Sequence, residues 1–301
     1  MAETIQDLLT QFSAAVSERA AAARPLVAAI RVRGHSWRSG TLWRKDVVVA
    51  SEQALPRAQE AEIMLDGGAT FTAKLAGRDP GTNVAVFRLD GSAQPAWSPA
   101  AEPQPGAVVL ALAADGAGGS AVRLGSIHAV GPAWHSRAGG RIDRRIWLGM
   151  RLGWGEEGGP VIDAAGGLVG ISTLGPRRRV LVIPTATIER VLEPLLSNGR
   201  IARGWLGLAV QPVLVPEALR AGAGEPHGLM VLGVSGDGPA AKAGVLMGDI
   251  LVAVSGAAVG SVSRLAERLG AEAVGKEVEL RLIRAGEIRS LTALVGERPA
   301  R

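Results

Sequence analysis

Between about residue 25 and Pro184 the chain is a succession of short apolar runs, each cut off by glycine or proline, and no other feature limits its fold as strongly. The runs are LVAAIRV, GTLWR, VVVA, AEIML, FTAKLAG, VAVFRL, AVVLAL, AVRLGSIHAV, RRIWLGM and GLVGIST. Many short strands separated by turn residues point to an antiparallel barrel or sandwich. The 301 residues are 47% apolar, enough for about two domains with real cores. Charged residues make up 20% and are spread along the chain, and the 41 glycines form no low-complexity tract, which argues against disorder, collagen and coiled coil. There is no cysteine, so disulfides, thiolate metal sites and cysteine nucleophiles are excluded.

Helical spacing brackets the β-rich region. At the N-terminus Thr4 and Asp7 mark a helix start, and Ile5, Leu8, Leu9, Phe12, Ala15 and Val16 recur three and four apart, predicting an amphipathic helix over 1–24. After Pro184, Ile188, Val191, Leu192 and Leu195 predict a helix that closes the β domain, 25–197. A linker follows at 198–203, then a smaller α/β module over 204–297 and a tail over 298–301. In that module WLGLAVQPV, LMVLGV, DILVAV, EVELRLI and IRSLTALV read as strands, and PAAKAG and SVSRLAERLG as two short helices. Val262, Leu265, Ala266 and Leu269 share one face of the second helix, and Ala285-Gly286 predicts a hairpin turn between Arg284 and Glu287.

The first twenty residues lack the basic start and continuous apolar stretch of a secretory signal, and no run approaches about 18 apolar residues. A soluble protein, cytoplasmic if the chain is full length, is the expectation. Net charge is +5, and the cations are nearly all arginine, since the only lysines are Lys45, Lys74, Lys242 and Lys276. Arg137, Arg141, Arg144, Arg145 and Arg151 form one basic group and Arg177, Arg178 and Arg179 another. A solvated basic face is the ordinary explanation, followed by an acidic protein partner or an anionic membrane surface. Nucleic acid is not expected, because no recognised motif is present and aromatics are few, with Trp134, Trp147 and Trp154 read mainly as core. His35, His128, His135 and His227 show no metal-ligand spacing, so no metal and no cofactor are expected. Ser39, Ser51 and Ser172 read as ordinary strand serines, because a nucleophile needs an adjacent base.

Four blocks occur in a telling order: DPGTNVAVFRLD, GEEGGPVIDAAGGLVGIST, LVIPTATIERVLEPLLSNGRIARGWLG and SGDGPAAKAGVLMGDILVAVSG. Together, over roughly residues 26–294, they resemble the HtrA/DegP family. The resemblance implies a mostly β fold, a chymotrypsin-like double β-barrel followed by a smaller α/β PDZ domain. Members of that family cleave peptide bonds with a hydroxyl nucleophile, an imidazole base and an orienting carboxylate. Matching the family's blocks puts Gln53 at the base position, Asn83 at the carboxylate position and Glu157 at the nucleophile position. An amide accepts no proton near neutrality, and a carboxylate is not acylated as a hydroxyl is. The expectation is therefore no catalytic residue and no enzyme: a pseudoprotease serving as adaptor, scaffold or chaperone-like protein. The alternative is an active serine-type endopeptidase in protein quality control. Gly155, Glu156, Glu157 and Gly158 form the former oxyanion loop, and Glu157 is expected to fill the nest of backbone N–H groups of Gly155 and Glu157.

The PDZ resemblance implies capture of protein C-termini or unfolded segments by strand addition. Gly204, Trp205, Leu206 and Gly207 match the carboxylate loop, Leu208 to Val210 the pairing edge, and Val262, Leu265 and Leu269 the pocket for the terminal side chain. The family also implies a homo-oligomer, a trimer, or a mixed oligomer with an active paralogue. It points to the periplasm or cell envelope as the alternative compartment.

Overall fold

A computed structural model of the chain describes all residues but Met1, Gly118, Arg137, Ala300 and Arg301, and all side chains except also those of residues 2–4. The chain divides into two compact units, residues 1–200 and 201–301. The helix-start signal at Thr4 and the basic residue Arg137 thus involve side chains outside the described residues.

The first unit opens with helix α1 (Ala2–Ala23). Its apolar stripe does not enter the unit's core: Ile5, Leu8, Leu9 and Phe12 are 48% to 62% exposed, while Ala23 and Leu26 at the far end are buried. Six strands then close a barrel: β1 (Val27–Arg31), β2 (Arg38–Arg44), β3 (Val47–Ser51), β4 (Glu60–Leu65), β5 (Thr70–Asp79) and β6 (Val84–Leu89). Their order is β1-β2-β3-β6-β5-β4, shut where Ile30 of β1 lies opposite Ile63 of β4. Alternate residues point inward, so Ile30, Leu42, Val48, Ile63 and Phe87 meet in one buried cluster.

A second barrel follows: β7 (Val108–Ala114), β8 (Ser120–Gly131), β11 (Arg145–Leu148), β12 (Pro160–Asp163), β13 (Leu168–Leu174) and β14 (Val180–Pro184), with a small hairpin of β9 (Trp134–His135) and β10 (Arg141–Ile142) between β8 and β11. The order is β11-β14-β13-β12-β7-β8, closed by β11 on β8. Helix α2 (Thr185–Asn198) covers the unit with Ile188, Val191, Leu192 and Leu195, all buried, and ends where Gly199 takes a left-handed conformation and donates to the Leu195 carbonyl. The run of short strands left barrel or sandwich open, and the double barrel that the family resemblance implied is present.

The second unit carries β15 (Gly204–Trp205), β16 (Leu208–Leu214), α3 (Glu217–Ala223), β17 (His227–Val234), α4 (Pro239–Lys242), β18 (Ile250–Val254), β19 (Ala257–Ala258), α5 (Val262–Arg268), β20 (Glu277–Arg284), β21 (Glu287–Leu294) and β22 (Gly296–Glu297). The main sheet runs β16-β17-β18-β20-β21 and leaves β16 on an edge. Two features depart from expectation. The run WLGLAVQPV is not one strand, because Leu206 turns into the core and Gly207 is left-handed between β15 and β16. Helix α3 was not among the two helices expected; Pro216 and Gly224 enclose too short a segment for its apolar spacing to stand out.

Candidate functional site

The loop joining β11 to β12 carries Gly153 to Gly159, and backbone sterics fix its shape. A Cβ on Gly158, whose φ is +103°, would lie 2.4 Å from the Ser39 carbonyl oxygen, and one on Gly159 would lie 1.9 Å from that of Leu112. Only glycine fits where loop and barrel strands approach this closely. Ser39 donates both its N–H and its hydroxyl to the Gly155 carbonyl at 2.8 Å, and the Thr41 hydroxyl donates to that of Gly158 at 3.1 Å. The Gly158 N–H reaches the Ser172 carbonyl at 2.9 Å, and the Ser172 hydroxyl reaches that of Glu156 at 3.3 Å. Ser39 and Ser172 are therefore clamps on this loop.

The loop delivers two adjacent carboxylates in opposite directions. Glu156 is buried and pairs bidentately with Arg123 of β8, accepting from Nε at 3.0 Å and Nη2 at 2.6 Å, and also accepts the Gly153 N–H. Burial pushes its pKa up, but the Arg123 hydrogen bonds, the Gly153 N–H and the Arg123 charge outweigh it, and the carboxyl is held below its ordinary value. Glu157 turns the other way. Its Oε1 accepts from the hydroxyls of Ser51 and Thr173, each at 2.7 Å, from the Leu174 N–H at 3.2 Å and from the Gln53 side-chain amide. Glu157 is nine-tenths buried, and Ser51 and Thr173 are almost wholly so.

Gln53 lies on a single 3-10 turn, Glu52–Ala54, just after β3. Its backbone N–H donates to Asn83 Oδ1 at 2.8 Å, and its side chain donates also to Thr173 Oγ1 at 3.1 Å and to the Leu174 carbonyl at 2.7 Å. Asn83 sits at φ +59°, a conformation asparagine tolerates better than most residues. The preceding turn is set by buried Asp79, which accepts from the N–H groups of Gly81 and Thr82 and from the Thr82 hydroxyl. From there Asn83 Nδ2 donates to Ser51 Oγ at 3.0 Å and to Thr173 Oγ1 at 2.6 Å.

The structure thus brings Gln53, Asn83 and Glu157 into one hydrogen-bonded cluster, although 30 and 104 residues separate Gln53 from the other two. Two further members escaped the sequence reading. Ser51 was read as an ordinary strand serine, and Thr173, the last residue of the second family-like block, was given no role; the available signal was that Thr173 follows the clamp residue Ser172 on the strand paired with the loop. The expectation that Glu157 fills the nest of Gly155 and Glu157 N–H groups is not met. Its carboxylate is drawn to the hydroxyl and amide donors at the β3 and β13 ends instead.

In the second unit the predicted peptide-binding residues lie on the loop Gly204–Gly207, on edge strand β16 and on helix α5 with its C-cap Leu269. Gly204 donates its N–H to the Leu269 carbonyl at 2.9 Å, tying the loop Gly204–Gly207 to the end of α5. Leu206 is buried rather than presented, and its carbonyl accepts the Ala240 N–H at 2.8 Å. Gly207, φ +78°, has Gly238, Ser235 and the Trp205 ring all within 3.2 Å of where a Cβ would stand. Leu265 is buried in the unit's core, with Leu208, Val210 and Leu269 packed partly exposed against it. Val262 is 48% exposed, on the solvent side of this set. Among the described residues no group of three or more His, Asp or Glu could hold a metal ion, and no helix is long and apolar enough to cross a membrane.

Comparison with known proteins covers both units. A family model for a trypsin-like peptidase domain matches residues 38–171, and one for a PDZ domain matches 204–295. A probable periplasmic serine endoprotease, DegP-like, of Brucella suis biovar 1 (strain 1330) is 29% identical over 262 residues, 84% of this chain and 50% of the relative. A protein of the same description from Halomonas elongata is 28% identical over 265 residues, 84% of this chain and 54% of the relative. The chain spans about half the length of the curated relatives it matches. Among solved structures, an HtrA-type protease AlgW with tripeptide superposes with a TM-score of 0.77 at 27% identity, covering 95% of this chain and 98% of that one. The serine endoprotease from Yersinia pestis gives 0.77 at 26%, covering 94% and 98%.

These findings correct two expectations. The chain was expected not to be an enzyme, yet its relatives are named serine endoproteases and its structural neighbours HtrA proteases, which points to an enzyme. It was expected in the cytoplasm, whereas the relatives are named periplasmic, which points to the periplasm. The PDZ match supports binding of peptide C-termini. A trypsin-like double barrel followed by a PDZ module, with relatives of this kind along most of the chain, supports the HtrA family for this protein.

Proposed function

We propose that this protein acts on polypeptides, capturing extended C-terminal segments in its PDZ unit and receiving polypeptide in the cleft of its double barrel. The observation that carries the reading is the edge strand of the second unit's main sheet. Edge strand β16 has no sheet partner on its outer side, and its Leu208 and Val210 pack, with Leu269, partly exposed against the core cluster that holds Leu265. An added strand gains main-chain hydrogen bonds from such an edge, and its terminal side chain gains apolar contact. Gly204, Trp205, Leu206 and Gly207 supply the carboxylate loop on this reading, and Val262 lies on the pocket rim. Assembly as a homo-trimer, or with an active paralogue, belongs to the same reading, and a single-chain mass by light scattering counts against it.

The names of the relatives favour hydrolysis in the barrel, and the cluster there sets its terms. Gln53, Asn83 and Glu157 are assigned to the positions of base, orienting group and nucleophile in the family. Gln53 and Asn83 are amides, so the proton acceptor within reach of a hydroxyl is Glu157, 2.7 Å from both Ser51 Oγ and Thr173 Oγ1. A hydroxyl paired with a base is the minimum for nucleophilic catalysis. Both hydroxyls are buried beneath exposed Gln53, so a peptide carbonyl reaches them only when the Gln53 side chain swings out. The test is degradation of unfolded casein by the full chain across a pH series, beside Glu157→Gln and Ser51→Ala. Cleavage lost in Glu157→Gln supports this route, and no cleavage by the unmodified chain refutes it.

A further inference from the structure

Trp154, read from the sequence mainly as core, stands outside it. The side chain is 80% exposed, the highest value among the large apolar side chains of the described residues, while the other six tryptophans are buried or half-buried. An indole offers one of the largest apolar areas a side chain can bury, and here that burial is not taken. Singly exposed apolar residues are ordinary; what sets this one apart is the rigidity of its mounting.

The backbone on both sides of Trp154 is fixed. Gly153 donates its N–H to Glu156 Oε2 at 2.6 Å, and the Gly155 carbonyl accepts both the N–H and the hydroxyl of Ser39 at 2.8 Å. A Cβ on Gly153 would lie 2.7 Å from Glu156 Oε1, and one on Gly155, whose φ is +82°, would lie 2.9 Å from the Trp37 carbonyl oxygen. The ring itself is propped. The Arg38 guanidinium lies 4.9 Å from the ring centre, a distance at which a cation is attracted to an aromatic face. Arg38 is in turn tied down, its Nε donating to the Ala54 carbonyl at 3.0 Å and its Nη1 to the Ser36 hydroxyl at 2.7 Å and the Trp37 carbonyl at 3.0 Å. One face of the indole is thus held and the other is left to solvent. The mounting adjoins the barrel cluster at two points: Ala54 follows Gln53 on the same 3-10 turn, and Trp154 lies three residues before Glu157.

We infer that Trp154 is a specificity-determining contact for polypeptide in the barrel cleft, receiving an aromatic side chain on its open face. The inference rests on the barrel half of the proposed function, that polypeptide enters this cleft. A platform ordered beforehand loses little freedom when a partner lands on it, and tryptophan is among the residues that most often dominate a binding interface. Charge does not set the preference here, because Arg38 is engaged by backbone and hydroxyl acceptors and Arg123 by Glu156. An aliphatic side chain on the indole gains only contact area, whereas an aromatic one adds the favourable offset or edge-to-face geometry of two rings.

The test uses the full chain beside Trp154→Ala and Trp154→Phe. The probes are two fluorescein-labelled neutral peptides, identical except for phenylalanine or leucine at one central position. Both are amidated at the C-terminus, so that the PDZ unit has no carboxylate to capture. The unmodified chain should bind the phenylalanine peptide about fivefold tighter than the leucine peptide, Trp154→Ala should lose this preference, and Trp154→Phe should keep most of it. The ratio of the two affinities is the readout, because a general loosening of the loop would weaken both peptides alike. If both peptides bind but the unmodified chain shows no preference, or the preference persists undiminished in Trp154→Ala, the inference is overturned and the barrel reading stands. No binding of either peptide by the unmodified chain overturns both.

Discussion

Replacing Glu157 with alanine removes the acceptor on which the barrel cluster converges, and the structure sets the size of the effect. Four donors lose a partner: the Ser51 and Thr173 hydroxyls, the Leu174 N–H and the Gln53 amide. A buried donor left unsatisfied costs about 1–3 kcal/mol, and four of them set the upper bound. Re-pairing lowers it. Ser51 and Thr173 lie 3.1 Å apart and share one hydrogen bond, and the Gln53 amide keeps the Leu174 carbonyl. The truncation also opens a polar space that water fills. The Leu174 N–H and half of the hydroxyl capacity remain as the deficit, so the expected loss is about 2–3 kcal/mol. In a unit of 200 residues each kcal/mol lowers the melting temperature by about 2–4 °C. Calorimetry of the full chain should show the barrel transition moving down by roughly 4–12 °C and the PDZ transition in place. A buried carboxylate can instead be a net liability, and its removal then stabilises. A barrel transition that stays or rises in Glu157→Ala refutes the claim that this carboxylate holds the cluster together.

Three further outcomes follow from the same geometry. Asn83→Asp puts a second carboxylate beside Glu157 and removes the donor to Ser51 and Thr173, so the barrel unit should lose about 1–3 kcal/mol at neutral pH and recover part of it on acidification, as read by denaturant melts at two pH values. Because the Glu156 carboxyl is held below its ordinary value, the stability it contributes is complete above its unfolded pKa, about 4.3, and disappears as pH falls through the lower folded value. Glu156→Gln should cost about 1 kcal/mol at pH 7, modest because Arg123 is half exposed, and should flatten the acid limb of the melting curve. Leu265→Ala, in the core of the second unit, should lower that unit's stability by about 2–4 kcal/mol in denaturant unfolding while the barrel transition stays in place.

How much of this was legible follows from what each feature depends on. The strands and helix α2 announce themselves through local patterns, short apolar runs cut by glycine and proline, then Ile188, Val191, Leu192 and Leu195 at helical spacing, while closure of the strands into two barrels was reached only through the family resemblance. The meeting of Gln53, Asn83 and Glu157 was reached only through motif resemblance, because contacts between residues 30 to 104 positions apart leave no local trace. Thr173 was missed for that reason. The direction of the Glu157 carboxylate was misjudged because it depends on which donors surround it, and those come from β3 and β13. In the second unit, Leu265 was expected to line a pocket and is buried in the core, with Leu208, Val210 and Leu269 packed against that core; periodicity alone does not separate those roles. The α1 stripe was correctly read as helical, yet spacing says nothing of what covers it, and Ile5, Leu8 and Leu9 are exposed.

Capture of polypeptide C-termini is the central claim, and one titration tests it most directly. A fluorescent neutral peptide ending in a large apolar residue would be titrated with the full chain in two forms, free carboxylate and C-terminal amide. The account predicts saturable binding of the free carboxylate, at least about tenfold tighter than the amide, because on this reading the Leu206–Gly207 end of the loop offers backbone N–H donors to a terminal anion. Equal affinity for the two forms, or no binding of either, would contradict it.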